Sequence, residues 1–246
     1  PDNSTHSNKT KKPPNPKKKN TMKKPSVFSF LISLLLAAAV CTHGKEQVKD
    51  TNGNPVKVGE KYFIQPVKTA SNNGGGLVPA AITVLPFCPL GITQTLLPYQ
   101  PGLPVSFEFP YVIPDTIVET SSIVNIKFES DIWPVCNEFS KLWEVDVSSS
   151  AAKEPAILIG GKSGAENSAF KIEKAGEGAG ANTYKLTTST GTVGTTPGAW
   201  LSAPQLLITN DDSKTLLVKF NKVDDATAAT TTSRVEKLGL RMFPFY

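Results

Sequence analysis

The residues best able to act as nucleophile, base or metal ligand are His6, His43, Cys41, Cys88 and Cys136. Their positions argue against such use. Residues 27–41 run Val-Phe-Ser-Phe-Leu-Ile-Ser-Leu-Leu-Leu-Ala-Ala-Ala-Val-Cys behind Met22-Lys23-Lys24. A basic start, a short apolar core and a small-residue exit describe a secretory signal peptide. The run is shorter than the ~20 apolar residues of a membrane-spanning helix, so 22–44 is predicted to be removed, with cleavage between Ala39 and Gly44. Residues 1–21 are rich in Lys, Asn and Pro and are predicted to be disordered, upstream of a start at Met22. Both histidines and Cys41 fall in these segments. The mature chain then has no Ser-His-Asp or Cys-His catalysis, no histidine metal ligand, and only a cysteine pair, too few for a zinc site.

Other candidates are weaker still. A glycosidase needs only a suitable pair of carboxylates, but no pair stands out, and Asp211-Asp212 and Asp224-Asp225 read as solvated turns. Gly160-Gly161-Lys162-Ser163 imitates the end of a phosphate-binding loop. That loop needs a further glycine where Ala156 stands and a helix where Gly164 follows, so a hairpin turn is predicted. No enzyme activity, metal or cofactor is expected.

Eight of the 26 basic residues and one of the 21 acids precede residue 45, which leaves 18 against 20 and a net charge of −2 in place of +5. The high isoelectric point belongs to the leader and is no argument for a nucleic-acid partner. The glycosylation sequons at Asn3 and Asn8 also lie there. A secreted chain that keeps Cys88 and Cys136 is expected to join them, the alternative being two buried thiols.

The elements that must position any site are short. β-rich runs are predicted at 62–67, 81–85, 105–109, 123–128, 142–147, 156–159, 169–174, 184–187, 206–209 and 215–223. Val105-Ser106-Phe107-Glu108-Phe109 and Val124-Asn125-Ile126-Lys127-Phe128 alternate cleanly. Clusters of Gly, Pro, Asn and Ser separate the runs, and 71–76 and 176–180 read as flexible loops. No long segment holds a helical period. Many short strands with turn signals mean an all-β barrel or sandwich. Ile126-Lys127-Phe128 and Val218-Lys219-Phe220 hint at an internal repeat. Trp143 is expected in the core, while Trp133 and Trp200 are candidate ligand-stacking residues.

The stretch Val48-Lys49-Asp50-Thr51-Asn52-Gly53-Asn54-Pro55, followed by Val56-Lys57-Val58-Gly59-Glu60-Lys61-Tyr62-Phe63-Ile64, closely resembles the N-terminal signature of the plant Kunitz trypsin-inhibitor family of the soybean type. Cys88-Pro89-Leu90, Lys127-Phe128-Glu129-Ser130 with Cys136, Trp143-Glu144-Val145, Tyr184-Lys185-Leu186 and Leu217-Val218-Lys219-Phe220 extend the resemblance across residues 46–226. It implies a β-trefoil over 45–226, a six-stranded barrel capped by three hairpins, with a separate tail at 227–246. The family's second disulfide is missing, Ser189 standing near its first position, which implies a freer loop at 187–197.

The resemblance also implies a function and a site. A protease takes one exposed loop as substrate, and the loop's rigidity keeps the cleaved ends in place. Here that loop is Pro110, Tyr111, Val112, Ile113 and Pro114, with the P1 residue that fills the protease's primary pocket near Val112, Tyr111 and Ile113 being the alternatives. Val112 cannot pair with the buried carboxylate of a trypsin pocket and suits a small apolar one. Val58 stands where the family has an asparagine that props the loop. The implied protein is a secreted monomer that inhibits a serine protease other than trypsin, with no nucleic-acid partner and no membrane contact after leader removal; the vacuole is an alternative destination. The rival reading is a non-inhibitory storage, taste-modifying or carbohydrate-binding protein of the miraculin-like branch.

Overall fold

The computed structural model describes residues 45–69, 72–83, 87–98, 100–112, 114–130, 135–148, 153–197 and 203–224. The expected disordered segment 1–21, the signal peptide 22–44 and the tail 227–246 lie outside the described residues, as do Ile113, Trp133 and Trp200.

The described chain is all-β. Its strands are β1 (Tyr62–Pro66), β2 (Leu77–Ala80), β3 (Gly91–Gln94), β4 (Val105–Glu108), β5 (Ile123–Phe128), β6 (Trp143–Val145), β7 (Ile157–Ile159), β8 (Phe170–Lys174), β9 (Tyr184–Thr187), β10 (Thr192–Thr196), β11 (Gln205–Thr209) and β12 (Leu217–Lys222). Following hydrogen-bonded neighbours, β12, β1, β4, β5, β8 and β9 run side by side, and β9 pairs back to β12. Six strands therefore close into a barrel, which leaves no open edge. The pairs β2–β3, β6–β7 and β10–β11 are the caps. Each run of four strands repeats one plan: a barrel strand, a cap hairpin, a barrel strand. This is a β-trefoil.

Alternation explains the barrel strands. Val124, Ile126 and Phe128 of β5 are buried while Lys127 between them is half-exposed. Val218 and Phe220 of β12 are buried on either side of Lys219. The inward side chains form one core in which aromatic rings meet edge to face. Phe107 and Phe220 are 5.3 Å apart at 88°, and Trp143 and Phe170 are 6.2 Å apart at 87°. Each such buried side chain contributes on the order of 2 kcal/mol.

Several expectations are corrected. The second strand is Leu77–Ala80, not a run from Ala81. Residues 72–76 are not a loose loop: Asn72, Gly74, Gly75 and Gly76 are buried. A Cβ on Gly75 would sit 2.2 Å from the Thr95 carbonyl oxygen, so glycine here serves close packing. The segment after Thr187 is not an irregular loop throughout. It forms β10, paired along five positions with β11, and Ser189 Oγ donates to Glu166 Oε1 at 3.4 Å. The two Lys-Phe strands do not mark a repeat either, since β5 opens the second four-strand unit and β12 closes the third.

Cys88, in the β2–β3 connection, is bonded to Cys136, in the β5–β6 connection, with Cα atoms 5.7 Å apart. The N-terminal segment 45–58 is a strap across one end of the barrel. Asp50 is 1 % exposed. Its carboxylate accepts from the amides of Asn52 and Asn54 at 2.9 and 2.8 Å, so the Asp-Thr-Asn-Gly-Asn turn is built around it. The amide of Lys49 donates to the Tyr184 hydroxyl at 2.8 Å, and Asn182 Nδ2 donates to the Asp50 carbonyl at 3.0 Å.

Candidate functional site

The connection from β4 to β5 spans residues 109–122 and projects beyond the barrel's end. Phe109 packs against the core. Pro110 is half-buried, Tyr111 is 70 % exposed, and Val112 is 105 % exposed, as open as a side chain in an extended peptide. Pro114, Asp115 and Thr116 are exposed, and Val118 is buried. The structure thus brings Pro110, Tyr111, Val112 and Pro114 together on one projecting segment; Ile113 lies outside the described residues.

Both stems are tied down. The departing stem ends β4, and the Phe107 carbonyl there accepts from the Gly59 amide at 3.1 Å. On the returning stem the Thr116 carbonyl accepts from the Val58 amide at 2.8 Å. Consecutive amides of one turn therefore reach opposite sides of the loop. The returning stem then runs along the strap. Ile117 bridges Lys57, the Val118 amide donates to the Val56 carbonyl at 2.9 Å, and the Thr120 amide donates to the Glu46 carbonyl at 2.7 Å. Asp115 Oδ1 accepts from the Ile117 amide at 3.0 Å. Below the loop, Lys127 of β5 bridges Glu108 and Glu129, each at 3.3 Å.

The missing asparagine prop is thereby put in context. The Val58 side chain faces the core, and its main chain makes the tie to Thr116. Sequence reasoning missed this pair of anchors because a backbone amide has no residue signature. The one hint was Gly59, whose φ of +77° favours glycine.

Lys162 and Lys174, cations of the kind a trypsin pocket would prefer, are placed differently. A protease holds its substrate as an added strand, through main-chain N–H and C=O groups. Lys162 is exposed, but its amide donates to Ser168 Oγ at 3.1 Å and its carbonyl accepts from the Ala165 amide at 3.1 Å. Both groups are already used within the β7–β8 connection, which is not the predicted hairpin turn, since β7 pairs with β3 and β6 while β8 pairs with β5 and β9. Lys174 lies in β8, with its main chain in the β8–β9 ladder and Nζ 2.8 Å from Glu46 Oε2. Neither is offered as a substrate residue.

Elsewhere, no group of three or more His, Cys, Asp or Glu side chains that could hold a metal ion occurs among the described residues. Exposed apolar side chains stand at both ends of the β2–β3 cap: Phe87 at 46 %, Leu96 at 60 % and Leu97 at 42 %.

A closed β-trefoil with a pinned, outward-pointing β4–β5 loop is the architecture of the plant protease inhibitors. The legume Kunitz family model, described as "Trypsin and protease inhibitor", matches residues 48–222. Kunitz trypsin inhibitor 2 of Arabidopsis thaliana is 74 % identical over 210 residues, covering 85 % of this chain and 97 % of that protein. Among solved structures, the water-soluble chlorophyll protein of Brassica oleracea with chlorophyll b is 72 % identical (TM-score 0.67), covering 73 % of this chain and 99 % of that one. Soybean trypsin inhibitor in complex with porcine pancreatic trypsin is 27 % identical (TM-score 0.59), covering 73 % and 100 %. The chain belongs to the Kunitz family of trypsin and protease inhibitors.

Proposed function

We propose that this protein is a secreted inhibitor of serine endopeptidases that presents Pro110–Pro114 as a substrate-like loop, with Val112 entering the primary pocket of an enzyme other than trypsin. The observation that carries this reading is the full exposure of Val112 between the anchored carbonyls of Phe107 and Thr116. An exposed but anchored segment enters a protease cleft with little ordering cost, so affinity comes from preorganisation more than from contact area. After cleavage the stems hold both new ends in place, and religation competes with release. Val112 is uncharged and branched, which suits a small apolar pocket and leaves a trypsin pocket's carboxylate unpaired. Removal of 22–44 as a signal peptide would place the protein among extracellular or vacuolar proteases.

The test is inhibition by the protein beginning at Lys45, measured against elastase, chymotrypsin and trypsin. Tight inhibition of elastase with weak inhibition of trypsin supports the reading. Tight trypsin inhibition that survives Val112→Gly overturns the choice of loop.

A second reading, binding of a chlorophyll-type macrocycle, is favoured by the 72 % identity to the Brassica oleracea protein across 99 % of its length. Phe87 at one end of the β2–β3 cap, and Leu96 and Leu97 at the other, offer separate exposed apolar side chains that an apolar ring could contact. Mixing the protein with chlorophyll b and following co-elution of pigment with protein separates the readings, since Val112→Gly should leave pigment uptake unchanged.

A further inference from the structure

We propose that Tyr62, braced by Glu60 and Lys222, is a positioning residue for the protease-binding loop: it fixes the turn at 57–60 whose amides pin both stems. This rests on the reading of Pro110–Pro114 as the inhibitory loop.

The turn is poorly closed by its own backbone. The Glu60 amide reaches the Lys57 carbonyl only at 3.4 Å, beyond the usual range of such bonds. Closure comes from a side chain below it. The Tyr62 hydroxyl accepts from the Lys57 amide at 2.9 Å and donates to Glu60 Oε2 at 2.9 Å. It therefore bridges the first and last residues of the turn. The same carboxylate oxygen lies 2.8 Å from Lys222 Nζ on β12. The Tyr62 ring is fully buried, 6.0 Å from Phe107 on β4, so the hydroxyl cannot swing away. Burial pushes the phenol well above its ordinary range, which keeps it a neutral donor.

The contacts run in one chain. Lys222 holds Glu60, Glu60 and Lys57 are held by Tyr62, and the closed turn aims Val58 N–H at Thr116 and Gly59 N–H at Phe107. Val112 sits between those anchored carbonyls. A shift of the turn moves both stems together, whereas a side-chain prop inside the loop would act on the tip alone. The family resemblance led to an asparagine at position 58; this chain places the rigidity in the barrel's closing strands.

The experiment compares wild type, Tyr62→Phe and Val58→Pro. Tyr62→Phe keeps the buried ring and deletes the bridge. Val58→Pro deletes the amide that reaches Thr116 together with the Val58 side chain's packing against the core, and the positive φ of Gly59 behind it marks a type II turn, which accepts proline at that position. The readouts are hydrogen exchange of peptides spanning 57–61 and 107–118, the rate at which excess elastase cleaves the loop, and the elastase inhibition constant. The expected result for both variants is exchange at least about tenfold faster in those peptides, cleavage about tenfold faster, and inhibition about tenfold to a hundredfold weaker, with exchange in β8–β9 unchanged. Wild-type rates of exchange and cleavage in both variants overturn the proposal, whatever the inhibition constant. Should Tyr62→Phe loosen the whole barrel, Val58→Pro decides alone, and wild-type cleavage in it is a refutation. A wild type that inhibits no protease refutes the loop reading instead; exchange and cleavage still judge the turn.

Discussion

The main-chain N–H of Lys162 donates to the hydroxyl of Ser168 at 3.1 Å. Ser168 is itself fully buried, and its carbonyl accepts from Asn125 Nδ2 at 2.7 Å. The Gly160–Gly164 turn of the β7–β8 connection is thus folded inward onto β5, with the Lys162 backbone committed to internal bonds. Changing Lys162→Ala should leave inhibition of every serine protease within about twofold of wild type, since solvent-exposed substitutions rarely shift energies by more than about 0.5 kcal/mol. Inhibition assays on that variant check this, and a tenfold loss against trypsin would show that a protease binds this turn.

The same inward fold has a stability consequence. Asn125 is 1 % exposed, and its Oδ1 also accepts from Ser163 Oγ at 3.1 Å. Asn125→Ala strands the Ser168 carbonyl and should cost about 1–3 kcal/mol. At about 2–4 °C per kcal/mol for a domain of this size, calorimetry should find the midpoint several degrees lower. An unchanged midpoint would mean that water replaces the amide without loss.

Acid should act on two carboxylates with opposite sign. A hydrogen bond from Lys222 holds Glu60 below its ordinary 4.5, a second from Tyr62 adds to it, and burial opposes both. Its folded value is depressed, so its contribution is present above pH 4.5 and is lost as pH falls through the folded value. Burial raises Glu144 above 4.5, against a hydrogen bond from Asn167 that lowers it. Ionising Glu144 therefore destabilises the fold as pH rises past 4.5. Glu144→Gln, which keeps an acceptor for Asn167, should raise the midpoint at pH 7 and lose that advantage near pH 3, while Glu60→Gln should flatten the acid limb. Denaturation midpoints across pH 3 to 7 check both; a Glu144→Gln gain that persists at pH 3 would contradict the assignment.

The disulfide ties the β2–β3 connection to the β5–β6 connection. Cys88 and Cys136 are separated by 48 residues and join the first and second caps. Replacing both with serine should remove about 4 kcal/mol through loop-closure entropy. The inhibition constant, measured where the protein remains folded, should hold, because the hydrogen bonds that anchor the two stems run to Gly59, Val58, Val56 and Glu46 and not to Cys88 or Cys136. Loss of inhibition in a folded variant would place the bridge within the site's support.

How much of this was legible follows from what side chains can announce. Val105–Glu108, Ile123–Phe128 and Leu217–Lys222 alternate apolar with polar side chains, so the residue types exposed them, although Ser106 and Asn125 on the polar face are buried too. Gly91–Gln94 is buried along its whole length, including Thr93 and Gln94, so it neither alternates nor reads as apolar. In β10, Gly194 lies inside the stretch expected as a freer loop, yet a Cβ there would stand 2.6 Å from Thr209 Cγ2. Close approach and turn chemistry use the same residue and cannot be told apart in one dimension. For the site, the Pro-Tyr-Val tip was legible by resemblance, and its exposure agrees with a projecting loop. The support was not: the absent asparagine is visible at Val58, whereas the amides of Val58 and Gly59 exist in every residue but proline and gain meaning only from the fold.

The most direct measurement is the trypsin inhibition constant of Val112→Arg beside that of wild type. The exposed side chain accepts a larger residue without touching the core, and an arginine there would pair with the carboxylate of the trypsin pocket, a desolvated charge pair worth about 2–4 kcal/mol. The prediction is inhibition of trypsin roughly 30- to 1000-fold tighter than wild type. An unchanged constant in a correctly folded variant would contradict the assignment of Val112 to the protease's primary pocket.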